Sequence, residues 1–280
     1  MIDLHTHHWR CGHARGELEA YVDAALARGL RTIGLSDHAP RFDLLDDAPA
    51  PGMHMPASDW EGYLQEASRL RDAFADRIAV RVGVEADQLA DGSERYRRAL
   101  DDGRLDYAIG SVHYVDGVHV YDRSKYAGGL EPEEAHAAYY LEVARAADSG
   151  LFDLLGHVDA VQVVGPTPRT EPEGAIRTMI AAIADADVAV EINTSGVHKR
   201  GAPFPNADLL QRLVRAEVPL ALGSDAHDPH RVGDGFDAVI RDLAAAGVRS
   251  VVDVRRRERI PVPLEELVGT RSRGRSPTGR

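Results

Sequence analysis

The chain opens MIDLHTHHWRCGH, which sets His5, His7, His8 and His13 close together behind an apolar start. Imidazoles at this density suit a tag remnant, a solvated polar loop or one edge of a metal site. The remaining sequence bears on the choice, because polar ligand types recur after short apolar runs. Asp37 and His38 follow RTIGLS, Glu85 closes AVRVGVE and His113 follows YAIGSV. His157 follows FDLLG, Asp225 and His227 follow PLALGS, and VAVEIN supplies Asn193 at the same place. A lone histidine at a strand end is ordinarily a polar cap or a satisfied core residue, but repetition at run after run is a pattern of another kind. Imidazole and carboxylate ligands suit Zn, Mn or Fe, and with Cys11 as the single cysteine a Cys-rich structural zinc site is excluded. A carboxylate has two oxygens, so Glu85 can bridge two ions where a histidine cannot. The remaining histidines, His8, His54, His119, His136, His198 and His230, lack this placement and read by default as surface or loop residues.

These side chains need elements to hold them. Strand candidates are 1–4, 31–36, 79–85, 107–112, 152–156, 188–193, 219–224 and 249–254, bounded by Gly, Asp and Pro. Several are apolar without alternation, as strands buried on both faces should be. Helical patterns lie between them at 17–29, 60–75, 131–150, 172–186 and 206–217, with Ser58-Asp59 placed to cap the second. Strand and helix alternating in this way predict parallel pairing by right-handed crossovers. In an open sheet, functional groups come mainly from the switch point, whereas in a barrel many strands contribute. Ligand-type residues after six of seven strands favour a closed α/β barrel, with the site at the carboxyl ends of its strands. The proline-dotted stretch 39–59 reads as a long loop over that site.

Composition bounds the rest. The 280 residues are 44% apolar and 28% charged, which fits a globular protein with one domain over 1–265. The arginine-rich piece 266–280, ending GTRSRGRSPTGR, reads as a disordered tail. No run is apolar enough to span a bilayer and no signal peptide is evident, so a cytoplasmic location is expected. The net charge of −12 argues against long-range attraction of nucleic acid.

The ordered set DLHTH, CGH, SDH, GVEAD, GSVHY, GHVD and GSDAH resembles the PHP (polymerase and histidinol phosphatase) superfamily, and more closely its histidinol-phosphatase branch. The resemblance covers about residues 1 to 265. It implies a distorted (β/α)7 TIM-like barrel with three divalent metal ions at the strand carboxyl ends. Carried over motif by motif, the first ion would take His5, His7, Glu85 and Asp225. The second would share Glu85 and add His113 and His157, and the third would take His13, His38 and His227. His8 is expected to bind no metal. Such a centre would be about +4 before any bound hydroxide, enough to hold a phosphate dianion inside an acidic protein. Phosphate monoesters hydrolyse so slowly that enzymes accelerate them by up to about 10²¹-fold. A metal-activated water as nucleophile, with ions stabilising the phosphate oxygens, is the implied route.

Asp37, Glu85 and His227 are the catalytic candidates. Asp37, beside His38, could orient an imidazole, shuttle a proton to the leaving alkoxide, or simply cap a helix. The stretch EINTSGVHKRG resembles the family's Asn-Thr-x-Gly segment, whose following basic residue helps hold the substrate phosphate. The usual arginine is His198 here, followed by Lys199 and Arg200, and the chain lacks the basic residues that relatives show after GHVD. His198, Lys199 and Arg200 are therefore the phosphate-binding candidates, with solvated loop charges as the plain alternative. The resemblance implies hydrolysis of L-histidinol phosphate in histidine biosynthesis. The altered basic residues keep open a phosphoesterase acting on another small phosphate ester or a nucleotide. A non-catalytic barrel would need no metal cluster.

Overall fold

The computed structural model describes residues 1–48, 51–89, 94–120, 131–163 and 167–268. Of the piece 266–280, expected to be a disordered tail, residues 266–268 lie in a helix (Leu264–Val268), and the remainder falls outside the described residues. Seven parallel strands make one sheet: β1 (Ile2–Asp3), β2 (Thr32–Leu35), β3 (Ala79–Asp87), β4 (Tyr107–Ser111), then, past a small hairpin, β7 (Leu154–Leu155), β8 (Ala189–Asn193) and β9 (Leu220–Gly223). The small hairpin is β5 (Tyr114–Val115) with β6 (Val118–His119). Leu4 N donates to Leu222 O at 2.9 Å and His7 N to Ala226 O at 2.9 Å, which brings β1 back to β9 and closes the barrel. The expected distorted (β/α)7 barrel is the fold found.

Apart from the nine-residue β3, the barrel strands are short and buried from end to end, so most of them read as apolar runs instead of alternating ones. Helices cover the outside: α1 (Leu18–Ala27), α2 (Trp60–Ala73), α3 (Glu94–Leu100), α4 (Pro132–Asp148) and α5 (Glu173–Asp185), each following the pattern set by its apolar stripe. In α2 the buried residues Trp60, Tyr63, Leu64, Ala67 and Leu70 recur at helical spacing and face the sheet. Its expected cap is not used: Ser58 donates from its N (2.7 Å) and Oγ (2.8 Å) to Asp47, and no side chain caps the helix. The later helices are α6 (Ser195–Arg200), α7 (Ala207–Arg215), α8 (Phe236–Ala245) and α9 (Leu264–Val268). The amino end of α7 does carry its cap, Asn206, which accepts from Leu209 N at 3.0 Å.

The eighth candidate strand is no part of the barrel. It is β10 (Ser250–Arg255) and pairs antiparallel with β11 (Glu258–Pro263), a strand the sequence pattern did not suggest because half-buried Arg259 and exposed Pro261 interrupt its apolar positions. This hairpin seals the amino end of the barrel. Asp253 accepts from Arg81 on β3 at 3.1 and 2.7 Å, and Arg256 N donates to Asp106, just ahead of β4, at 3.1 Å. The carboxyl end is thereby left as the open face.

Candidate metal centre

All nine ligand candidates converge at the open end. Glu85, at 1% exposure, stands at the middle of the group. Its Oε1 lies 3.1 Å from His157 Nε2, 3.4 Å from His5 Nε2 and 3.7 Å from His113 Nε2. Its Oε2 lies 3.0 Å from His38 Nδ1 and 3.5 Å from His7 Nε2. Asp225 Oδ1 faces His7 Nε2 at 3.1 Å and His227 Nδ1 at 3.4 Å. His13, reached by the turn after β1, meets His227 with their Nε2 atoms 2.9 Å apart. The motif-implied third group is looser than the other two, because His7 joins His38 and His227 within ligand distance while His38 also stands with Glu85 and His113.

The donor set fits divalent ions. Five imidazoles have Nδ1 occupied from behind: His5 by Glu191 Oε1 at 2.7 Å, His7 by Asp37 Oδ1 at 3.3 Å, His113 by Asp87 Oδ1 at 2.7 Å, His227 by the Asp225 carbonyl at 3.0 Å and His13 by the Cys11 carbonyl at 3.4 Å. An acceptor at Nδ1 fixes the proton there and turns the Nε2 lone pair inward, as metal-binding histidines require. Two inward pairs, His5 with His7 at 3.0 Å and His13 with His227, then bring lone pairs together. Buried Glu85 Oε2 accepts no hydrogen bond, and His157 Nδ1 is also without one. Imidazole nitrogens and carboxylate oxygens converging on one point in this way suit bound cations.

Charge in the site follows from its neighbours. Burial opposes ionisation of Glu85, but His38, His5 and His113 outweigh it and hold the carboxyl well below its usual range. Asp225 is likewise held low against burial by Lys199, His7, His5 and His227. Burial lowers the imidazoles of His13, His38 and His227, the last to about 3, so they are neutral donors near pH 7. Burial also opposes protonation of His7, yet Asp225, Asp37 and Glu85 raise it to about 9. Asp225, with φ 51°, and His157, with φ 25°, adopt the left-handed region, which Asp and His enter more readily than other side-chain-bearing residues.

The basic residues divide. Lys199 Nζ lies 3.2 Å from Asp225 Oδ2 and lines the roughly 430 Å³ cavity over the centre. His198 turns to Asp234 at 2.9 Å on the surface. Arg200 turns inward to Asp159 at 3.1 Å and Gln162 at 2.9 Å and stacks on Phe204, so it holds loops together away from the cavity. Asp37 is enclosed as well. It contacts His8 Nδ1, sits behind His7, and accepts from Cys11 N at 3.2 Å and His38 N at 2.9 Å. Of its three open roles, orienting an imidazole is the one these contacts serve.

Sequence reading passed over several residues that act here. His8, His54 and His136 are buried, correcting the surface reading, whereas His230 is exposed. His8 bridges Asp37 and Arg10 (3.0 Å), so it supports the centre without facing it. Glu191 behind His5, Asp87 behind His113 and Ser195, whose Oγ donates to Asp225 at 2.8 Å, were also missed. Two of these left a signal: Glu191 is the one charge in an otherwise apolar strand, and Asp87 stands two residues past Glu85, on the same face. The loop 39–59, in its described part, supplies Gly52, Met53 and His54 to the cavity wall. No helix among the described residues is long and apolar enough to cross a membrane.

Known proteins share this architecture and sequence. The PHP domain model matches residues 3–195. A probable histidinol-phosphatase of Deinococcus radiodurans is 34% identical over 256 residues, covering 90% of this chain and 95% of that protein. The histidinol-phosphatase of Bacillus subtilis is 26% identical, covering 85% of this chain and 97% of its own. Among solved structures, the histidinol phosphate phosphatase of Lactococcus lactis, complexed with Zn, L-histidinol and phosphate, superposes with a TM-score of 0.76 at 22% identity, covering 92% of this chain and 98% of that one.

Proposed function

The chain belongs to the PHP-domain family, in its histidinol-phosphatase branch, and on that premise we propose that it hydrolyses L-histidinol phosphate to L-histidinol and phosphate. The observation that carries the reading is the set of inward-turned imidazole nitrogens around Glu85 at the carboxyl end of the barrel. His5, His7, Glu85 and Asp225 would hold one divalent ion, Glu85, His113 and His157 a second, and His13, His38 and His227 a third. Zn, Mn and Fe all suit these donors. Bound ions would supply Lewis acidity for the phosphate oxygens and a nucleophile at neutral pH.

The protein's own side chains do the rest. Lys199 faces the cavity from beside Asp225 and would neutralise an oxygen of the phosphate. Glu85 keeps its negative charge among the imidazoles and would offer an anionic ligand to the ions. Glu191, Asp37 and Asp87 stand behind His5, His7 and His113 and keep each ring's proton away from the centre. The reading sets the reaction in histidine biosynthesis in the cytoplasm, with a small-molecule phosphate ester as the substrate.

Of His198, Lys199 and Arg200, only Lys199 lines the cavity, which keeps another small phosphate ester as the second reading. Phosphate release by Zn- or Mn-loaded protein, measured across histidinol phosphate, nucleoside monophosphates and sugar phosphates, separates the two. Histidinol phosphate should rank first, and a poor rank defeats the proposal. His13→Ala should remove about one equivalent of bound metal with the fold intact; unchanged metal content would break the ligand assignment.

A further inference from the structure

The Asp87 carboxylate is buried and shared by two imidazoles. Its Oδ1 lies 2.7 Å from His113 Nδ1, and its Oδ2 lies 2.6 Å from His54 Nε2. The two rings come from different places: His113 follows β4, whereas His54 belongs to the connection 39–59 and forms part of the cavity wall. His54 is only 6% exposed, stands edge-on to His38 at 5.8 Å and stacks on Tyr114 at 6.2 Å. Met55 N adds a main-chain bond to the His38 carbonyl at 3.4 Å. Neither the ligand assignment nor the phosphatase reading gives His54 any task.

We propose that His54 is a positioning residue that acts through Asp87: it fixes the carboxylate that orients His113 and latches the wall of the cavity to β3. The inference rests on the reading of His113 as a ligand. A buried carboxylate held at one oxygen alone can rotate and leaves the other oxygen unsatisfied, at a cost comparable to a lost hydrogen bond. Donors on both oxygens fix its plane. With that plane fixed, His113 keeps its proton on Nδ1 and presents Nε2, 3.7 Å from Glu85 Oε1, to the centre. The bond from His54 Nε2 also spans from loop to strand, so the placing of the cavity wall and the aim of a ligand depend on one contact.

Two substitutions separate donation from packing. His54→Gln retains an N–H donor, whereas His54→Phe retains a ring without one; His54→Ala replaces the Phe variant if the larger ring does not fold. Metal affinity is read by chelator competition, KM with histidinol phosphate, and cleavage within 51–59 by limited proteolysis of the metal-free protein. The Phe variant should bind metal about tenfold more weakly, the lower end of what losing an outer partner costs. It should also raise KM and expose 51–59 to protease, and the Gln variant should restore all three towards wild type. A folded Phe variant with wild-type affinity and cleavage overturns the proposal, as does a Gln variant as impaired as Phe. A wild-type protein that binds no metal would instead defeat the proposed function, and the protease comparison would still decide whether His54 holds the loop.

Discussion

At the scale of single residues, three adjacent basic side chains show how little neighbourhood in sequence says about direction. Residues in a helix turn by about 100° each, so His198, Lys199 and Arg200 in α6 must point three ways. Only Lys199 reaches the cavity, and Lys199→Ala should raise KM for the phosphate ester about tenfold while metal content stays at the wild-type level. Arg200→Ala should act on the fold instead. It leaves the buried Asp159 carboxylate without its cation, a change that costs about 3–5 kcal/mol, read as a lowered denaturation midpoint. If Arg200→Ala left stability intact and raised KM alone, the division of labour drawn here would be wrong. Most of the ligand candidates were legible because they stand at the ends of apolar runs, whereas His13, on the turn after β1, rests on the family motif. Their supports, Glu191, Asp87 and His8, were hard to read because carboxylates and imidazoles behind a centre look in sequence like any buried polar group.

At the scale of elements, the strand ends matter more than the strand middles. Gly223 ends β9 beside the centre, and a Cβ added there would collide with Glu191 Oε1 and His5 Cβ. Gly223→Ala should therefore displace the carboxylate that orients His5. We expect about 1–3 kcal/mol of lost stability from overpacking together with weaker metal binding, checked by urea unfolding and chelator competition. Gly62 in α2 is the control, since nothing lies within 4 Å of its added Cβ. Gly62→Ala should stabilise by about 0.5–1 kcal/mol and leave metal binding alone. Equal loss of metal in both variants would show that helix stability, and not the close approach at Gly223, controls the site. The barrel strands were visible as buried runs and five helices as periodic stripes, whereas α3, α6, α8 and α9 were not read from the sequence. The hairpin of β10 and β11 was half visible, because antiparallel pairing depends on a partner strand with no clean pattern of its own.

At the scale of the whole molecule, closing the barrel brings ends of the chain together that share no local signal. Asp3 on β1 accepts from Ser224 N at 2.9 Å and from Gly233 N at 2.8 Å, both beyond β9. Burial raises its carboxyl from 3.8 to about 6, against the pull of those hydrogen bonds. The folded state thus binds this proton more tightly than the unfolded chain. Its contribution to stability is fully present below pH 3.8 and is lost as pH rises through about 6. Across that window the metal-free wild type should lose stability relative to Asp3→Asn, read as a change in the Tm difference between them; a constant difference would refute the assignment.

The sequence by itself determined the class of fold and, through its ordered motifs, the family, and it supplied the candidate ligands that the family resemblance implies, because these depend on residue type and spacing along the chain. Runs buried on both faces and polar groups after each run are local facts. Only the tertiary structure decided which of three adjacent cations meets the cavity, that Asp37 is walled off behind His7, and that His8 and His54 are buried supports. Those outcomes depend on which groups from distant segments arrive at the same point, and barrel closure sets that.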